Sequence, residues 1–155
     1  MKRDITVIGA AIIDVLAGPV DESIFEKGSQ PVNSTRLAFG GDALNEAVVL
    51  SQLGAKVELI SKVGDDEAGK RVLDFLQEKQ VDVTKVKIEE GLETGINIVL
   101  VTPEGERMFL TNPNGSLRKL SEADVMEQLD SVADIVCMAS MFVSPLLDIP
   151  AMERI

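Results

Sequence analysis

Asp14, the Gly40-Gly41 pair and Asn45 have the side chains and spacing to hold a polyhydroxylated ligand. Asp14 follows a β-branched run and offers two carboxylate oxygens, so it can accept from two neighbouring hydroxyls at once. Gly40-Gly41 leads into Asp42-Ala43-Leu44-Asn45, where a helical pattern begins. Glycine lets a ligand approach the backbone because no Cβ intrudes. The first helical turn presents unpaired N–H groups and a partial positive charge. Asn45 can both donate to and accept from a hydroxyl. These features describe a sugar site, and they equally describe a helix start behind a glycine turn with Asp14 in solvent.

Composition removes several other chemistries. The 155 residues include 26 acidic and 15 basic side chains, a net charge of −11, which argues against nucleic acid as a partner. There is no histidine, so histidine triads and histidine-ligated metal sites are excluded. One cysteine, Cys137, cannot make an internal disulfide, and its apolar surroundings in sequence read as a buried core thiol. Asp65-Asp66-Glu67 resembles a metal cluster on paper, but acids at a helix N-terminus are explained by the dipole, so no metal site is expected. Lys2 and Arg3 precede an apolar run, yet Asp4 and Asp14 interrupt it. No stretch approaches the ~20 apolar residues of a membrane span. The expectation is a cytoplasmic protein with no membrane partner.

The elements that must carry these residues follow from periodicity. Ile5–Ile8, Val57–Ser61 and Ile135–Ala139 read as buried strands. Asp42 opens a helix with Ala43, Leu44, Ala47 and Val48 on one stripe, stopped by Gly54. Glu67–Lys79 is a second amphipathic helix. Ser121 with Asp124 caps a third, expected to run to about Leu129. Ser144-Pro145 reads as an N-cap followed by proline at the first helical position. Alternating strands and helices predict a parallel α/β sheet. Residues 15–39 and 94–112 break the alternation and read as antiparallel strand material projecting from it. The expected division is a core of residues 1–14, 40–93 and 113–155, and a small sheet of 15–39 and 94–112.

The second projecting segment has a readable register. Thr102-Pro103-Glu104-Gly105-Glu106 fits a three-residue hairpin loop, with proline at the first central position and glycine at the left-handed one. Asn97 then faces Thr111, Val99 faces Phe109 and Val101 faces Arg107. The other face is wholly apolar: Ile96, Ile98, Leu100, Met108 and Leu110. Such a face needs cover from the core, other strands or a second subunit. Arg107, on the mixed face towards the hairpin tip, reads either as a solvated turn arginine or as a contact to an anionic group of a substrate or to the phosphates of a nucleotide.

The run Gly40-Gly41-Asp42-Ala43-Leu44-Asn45-Glu46-Ala47, with Gly54 and Gly64 at their spacings, resembles the N-terminal signature of the ribokinase or PfkB carbohydrate kinase family. Val7-Ile8-Gly9 with Ile13-Asp14, Gly64-Asp65-Asp66 with Gly69, Thr94-Gly95 and Glu104-Gly105-Glu106-Arg107 resemble it too. The resemblance implies a ribokinase-like, Rossmann-type parallel sheet flanked by helices, with a β-sheet lid over the sugar. It implies that Asp14 is the sugar-binding aspartate and that Gly40, Gly41 and Asn45 hold sugar hydroxyls. It implies that Asn97 and Thr111 cover the sugar from the lid. It also implies ATP with Mg2+ as cofactor, and a homodimer joined through the apolar lid face.

Family members phosphorylate a sugar hydroxymethyl using an aspartate base within a C-terminal Gly-Ala-Gly-Asp motif, and this sequence contains no such motif. The resemblance is therefore to the first half, a truncated kinase with no catalytic residue of its own and expected to be inactive alone. The segment Cys137-Met138-Ala139-Ser140-Met141-Phe142 lacks the acidic residue ribokinases commonly place there, which weakens ribose in particular; Ser140 reads equally as a neutral substitute or as surface packing. A nucleoside kinase is the alternative within the family, kept open by Phe25, Phe39 and Phe109. A non-catalytic sugar-binding or dimerising module is the alternative outside it. Gly9-Ala10-Ala11 lacks the third glycine of a dinucleotide-binding turn.

Overall fold

The computed structural model describes residues 3–155. Its strands form two four-stranded sheets. The first contains β1 (Ile5–Ile8), β4 (Val57–Gly64), β5 (Val86–Glu89) and β8 (Ile135–Met138), in the order β5-β4-β1-β8. Every pairing in it is parallel, which requires cover on both faces. All eight residues of β4 are buried.

Pleating sends alternate residues to opposite faces. Val7, Val57, Leu59 and Val63 pack against Leu44 and Ala47 of α2 (Asp42–Gln52) and Val72 and Leu76 of α3 (Glu67–Glu78). Phe75 of α3 stacks on Phe39, with ring centroids 4.1 Å apart. On the opposite face Ile8 and Ile60 meet Leu120, Val125 and Leu147. That face also buries charge. Lys62 lies 2.6 Å from Asp124 and 2.8 Å from Glu89, and Lys87 donates to Asp124 at 2.6 Å. Burial alone would raise the Asp124 pKa, but hydrogen bonds from Lys62, Lys87 and Ser121 outweigh it and hold the carboxyl well below its usual range.

The second sheet runs β3-β2-β6-β7. It is built from β2 (Ile12–Gly18), β3 (Ser34–Gly40), β6 (Ile96–Val101) and β7 (Arg107–Thr111). The β6–β7 hairpin has the register read from its turn: Asn97 opposite Thr111, Val99 opposite Phe109, Val101 opposite Arg107. The expectation of purely antiparallel strands is corrected at the centre, where β2 and β6 pair in parallel. Each opens an antiparallel pair, β2 with β3 and β6 with β7. Both leave the core in the same direction, so they meet side by side in parallel.

Several sequence expectations near the chain's second half are also corrected. Ile135–Ala139 is not buried: β8 pairs only with β1, and Ile135 and Val136 are 55% and 44% exposed although they point to opposite faces. Cys137 is accordingly half-buried rather than a core thiol; burial and the neighbouring Glu46 push its pKa up, so it is no activated nucleophile. The helix capped by Ser121 is short, α4 (Glu122–Met126), and gives way to a 3₁₀ turn at Leu129–Ser131. Ser144 caps no helix, because its hydroxyl donates to the Leu120 carbonyl at 2.8 Å. The last helix, α5 (Ile149–Arg154), is capped instead by Asp148, which accepts from Ala151 N at 2.9 Å, with Pro150 in its first turn. The glycine- and proline-rich stretch 18–33 contains a helical turn, α1 (Ser23–Lys27), closed by Gly28 in the left-handed region.

Candidate functional site

Asp14 stands in β2, two residues beyond its start, and is the register partner of Asn97 in β6 and of Ala38 in β3. Its Oδ1 accepts from Asn97 Nδ2 at 3.0 Å. Asn97 Oδ1 in turn accepts from Thr111 Oγ1 at 2.8 Å. Three strands thus contribute one side chain each to a single hydrogen-bonded row. Asn97 is buried, and its amide has both ends satisfied, which fixes its orientation. Thr111 supports Asn97 from behind and does not itself line the cavity.

The glycine pair meets this row from the core side. A Cβ on Gly40 would run into the Asp14 carboxylate. Gly40 is therefore the floor beneath that carboxylate. Gly41 has φ of 92°, a region L side chains avoid, and a Cβ there would strike the Ala10 carbonyl. That carbonyl accepts from Leu44 N at 3.2 Å, and Gly41 O accepts from Asn45 N at 3.0 Å. The helix start is thereby pinned against the loop after β1, with no side chain capping it. Leu44 N and Asn45 N are thus held by backbone carbonyls, and Gly41, Asp42 and Asn45 of this turn line the cavity.

The cavity between the two sheets has a volume of ≈ 300 Å³. Asp14, Gly41, Asn45, Asn97 and Arg107 all line it. Sequence reasoning kept Phe109 and Ser140 open as contacts but missed the other walls. Asp42 adds a second carboxylate, Phe109 an aromatic face, and Leu117 and Val143 apolar cover. The hairpin register already put Phe109 on the same face as Asn97, which was the available signal. Leu117 and Val143 come from segments far along the chain with no periodic pattern to place them. Ser140 also lines the cavity, with φ of 55°. Its Oγ accepts from Ala10 N at 3.2 Å, so part of its bonding capacity serves the loop after β1. A wider hollow of ≈ 530 Å³ lies farther out on the second sheet, lined by Leu16, Arg36 and Val101 among others.

Of the acidic run at the start of α3, Asp66 is a structural carboxylate, since it accepts from Gly69 N at 2.7 Å as an N-cap. Among the described residues, no group of three or more histidine, cysteine, aspartate or glutamate side chains is arranged to hold a metal ion. No helix among them is long and apolar enough to cross a membrane.

A parallel α/β core with a second sheet facing a glycine-led helix start defines the ribokinase-like class of kinases. The chain belongs to the pfkB family of carbohydrate kinases, whose family model matches residues 2–155. It is 28% identical over 149 residues to a ribokinase of Haemophilus influenzae, covering 94% of this chain and 47% of that one. Among solved structures, a fructokinase with bound ATP from Xylella fastidiosa matches with a TM-score of 0.63 and 26% identity, covering 80% of this chain and 37% of that one. The adenosine kinase of Sinorhizobium meliloti matches in fold with a TM-score of 0.69 at 24% identity, covering 89% of this chain and 47% of that one. The chain thus spans less than half the length of these relatives.

Proposed function

We propose that this chain is the substrate-binding and lid half of an ATP-dependent kinase that phosphorylates a sugar hydroxymethyl group, and that it transfers no phosphoryl group alone. The observation that carries this reading is the row Thr111–Asn97–Asp14, whose Asn97 and Asp14 line one cavity with Gly41 and Asn45 of the glycine-led start of α2. A carboxylate oriented by a buried amide accepts from paired sugar hydroxyls, and Asn45 and the Gly40-Gly41 turn meet the hydroxyls on the other side. The second sheet is the lid, and the first sheet with its helices is the core. Arg107 faces an anionic group, on the substrate or on the nucleotide.

ATP and Mg2+ belong to the full-length enzyme. The residues that line this cavity do not make a nucleotide and metal site, and the sequence holds no Gly-Ala-Gly-Asp. What this half does is bind, orient and cover the sugar, which is the positioning share of a phosphoryl transfer. The protein acts in the cytoplasm. It forms a homodimer through Ile96, Ile98, Leu100, Met108 and Leu110, of which all but Leu100 are more than two-fifths exposed.

Titration calorimetry of the chain with D-ribose, D-fructose and related sugars tests the binding share. Binding of at least one sugar, lost in Asp14→Ala, is the expected result; no binding by the wild-type chain overturns it. A coupled ADP assay on the same sample is expected to show no turnover. Phe109, 55% exposed and lining the cavity, favours a second reading, a nucleoside kinase whose base stacks on that ring. Preference for adenosine over free sugars in the same titration selects it.

A further inference from the structure

Outside the cavity, a second carboxylate hydrogen-bonds to the segment from which β6 departs. Asp66 sits at the N-cap of α3, on the core. Its Oδ1 accepts from Gly69 N at 2.7 Å and from Thr94 Oγ1 at 2.6 Å, and its Oδ2 accepts from Thr94 N at 2.8 Å. Thr94 is 4% exposed and accepts in turn from Gly64 N at 2.9 Å, at the end of β4. One residue on, Gly95 O accepts from Ile13 N at 3.0 Å, directly before Asp14. Gly95 N donates to Ser116 Oγ at 2.9 Å. Two residues later comes Asn97, the partner of Asp14.

The junction has no slack. A Cβ on Gly69 would come within 2.8 Å of Thr94 Oγ1, and one on Gly95 within 2.7 Å of Ile12 Cγ2. Burial would raise the Asp66 pKa, yet the hydrogen bonds from Thr94, Gly69 and Ala68 outweigh it, so the carboxyl is ionised and fully engaged at neutral pH. A helix cap needs only one acceptor. Asp66 spends its other interactions on the residue from which β6 departs.

We infer that Asp66, acting through Thr94, is a positioning residue for the Asp14–Asn97 pair, the peg that fixes the second sheet against the core. Asp66→Ser separates this role from capping, because serine still caps α3 but is too short to hold Thr94. Thr94→Val removes the hydroxyl half of the link and leaves Thr94 N on Asp66 Oδ2, and Thr94→Ser keeps both. The readouts are hydrogen exchange of the Asn97 side-chain amide by NMR and affinity for D-ribose and D-fructose. Asp66→Ser and Thr94→Val are expected to speed that exchange about tenfold and to weaken sugar binding about tenfold, while Thr94→Ser restores both. Unchanged exchange at Asn97, with only a lowered melting temperature, overturns the inference. The affinity arm rests on the sugar-binding reading and the exchange arm does not. If the wild-type chain binds neither sugar, that reading has failed and exchange alone decides the role of Asp66. If Asp66→Ser does not fold, the Thr94 pair decides it.

Discussion

The two sheets contain the same number of strands and almost nothing else in common. In the first, β4 is buried along its whole length, and helices or the chain's last third cover both faces. In the second, Ile98, Met108, Phe109 and Leu110 are each 45–56% exposed. Every side chain proposed to touch the substrate from a strand comes from this barer sheet. A sheet paired in parallel throughout is covered on both faces, which leaves its faces to packing. A sheet standing off the core keeps one face open, with few buried contacts resisting its movement. Buried packing is concentrated in one sheet and the proposed substrate contacts in the other, and hydrogen bonds between Asp66 and Thr94 cross the junction.

Substitutions that strike one sheet and spare the other test this contrast. The largest expected effect is in the core's buried charges. Asp124→Ala leaves Lys62, 7% exposed, without its nearest partner, and is expected to cost about 3–5 kcal/mol in urea unfolding. Leu59→Ala, fully buried on the helix-covered face, is expected to cost about 2–5 kcal/mol by the same measurement. Neither should change which sugar binds. A loss under 1 kcal/mol for both would mean that stability is not concentrated there.

Gly40→Ala should act on the site rather than the core. The added methyl displaces the Asp14 carboxylate, so sugar affinity is expected to fall about as far as in Asp14→Ala, by about tenfold or more for a lost charged hydrogen bond. Calorimetry reads that loss. Ile98→Lys on the apolar face is expected to shift sedimentation from dimer to monomer with a stability change within about 0.5 kcal/mol. An unaltered oligomeric state removes the proposed interface.

Acid supplies the mildest test. Asp124 and Asp66 both have pKa values lowered from 3.8 by folding. The native state therefore binds fewer protons than the unfolded chain in this range. Their contributions are complete above pH 3.8 and fade as pH falls from there through the folded values. Melting temperature should fall with acid below that point, less steeply in Asp124→Ala. An identical slope in that variant would remove Asp124 from the account.

Much of this was legible in the residues. The hairpin register came from its turn, since Pro103 and Gly105 fix loop length and a two-residue period does the rest. The pairing of Asn97 with Thr111 therefore follows from the turn. Asp14 and the glycine pair stood out through the resemblance of the whole spaced signature, since by residue type alone they equally fit a helix start with Asp14 in solvent. The site's remaining walls were not legible. Asp42, Leu117 and Val143 reach the cavity from separate segments, and no local pattern records that convergence. Helix ends late in the chain were misread for a related reason. Ser144 has the side chain of a cap, but the Leu120 carbonyl, 24 positions away, claims its hydroxyl.

The sequence by itself determined the alternation of strands and helices, the glycine-led helix start, the hairpin and its apolar face, because each follows from local period, turn chemistry or a missing Cβ. Only the tertiary structure decided that β2 and β6 run parallel, that β8 stands at an open edge, and that Asp66 reaches across 28 positions to hold Thr94. Those outcomes depend on which distant groups meet, and that is set by packing the whole chain, not by any window of it.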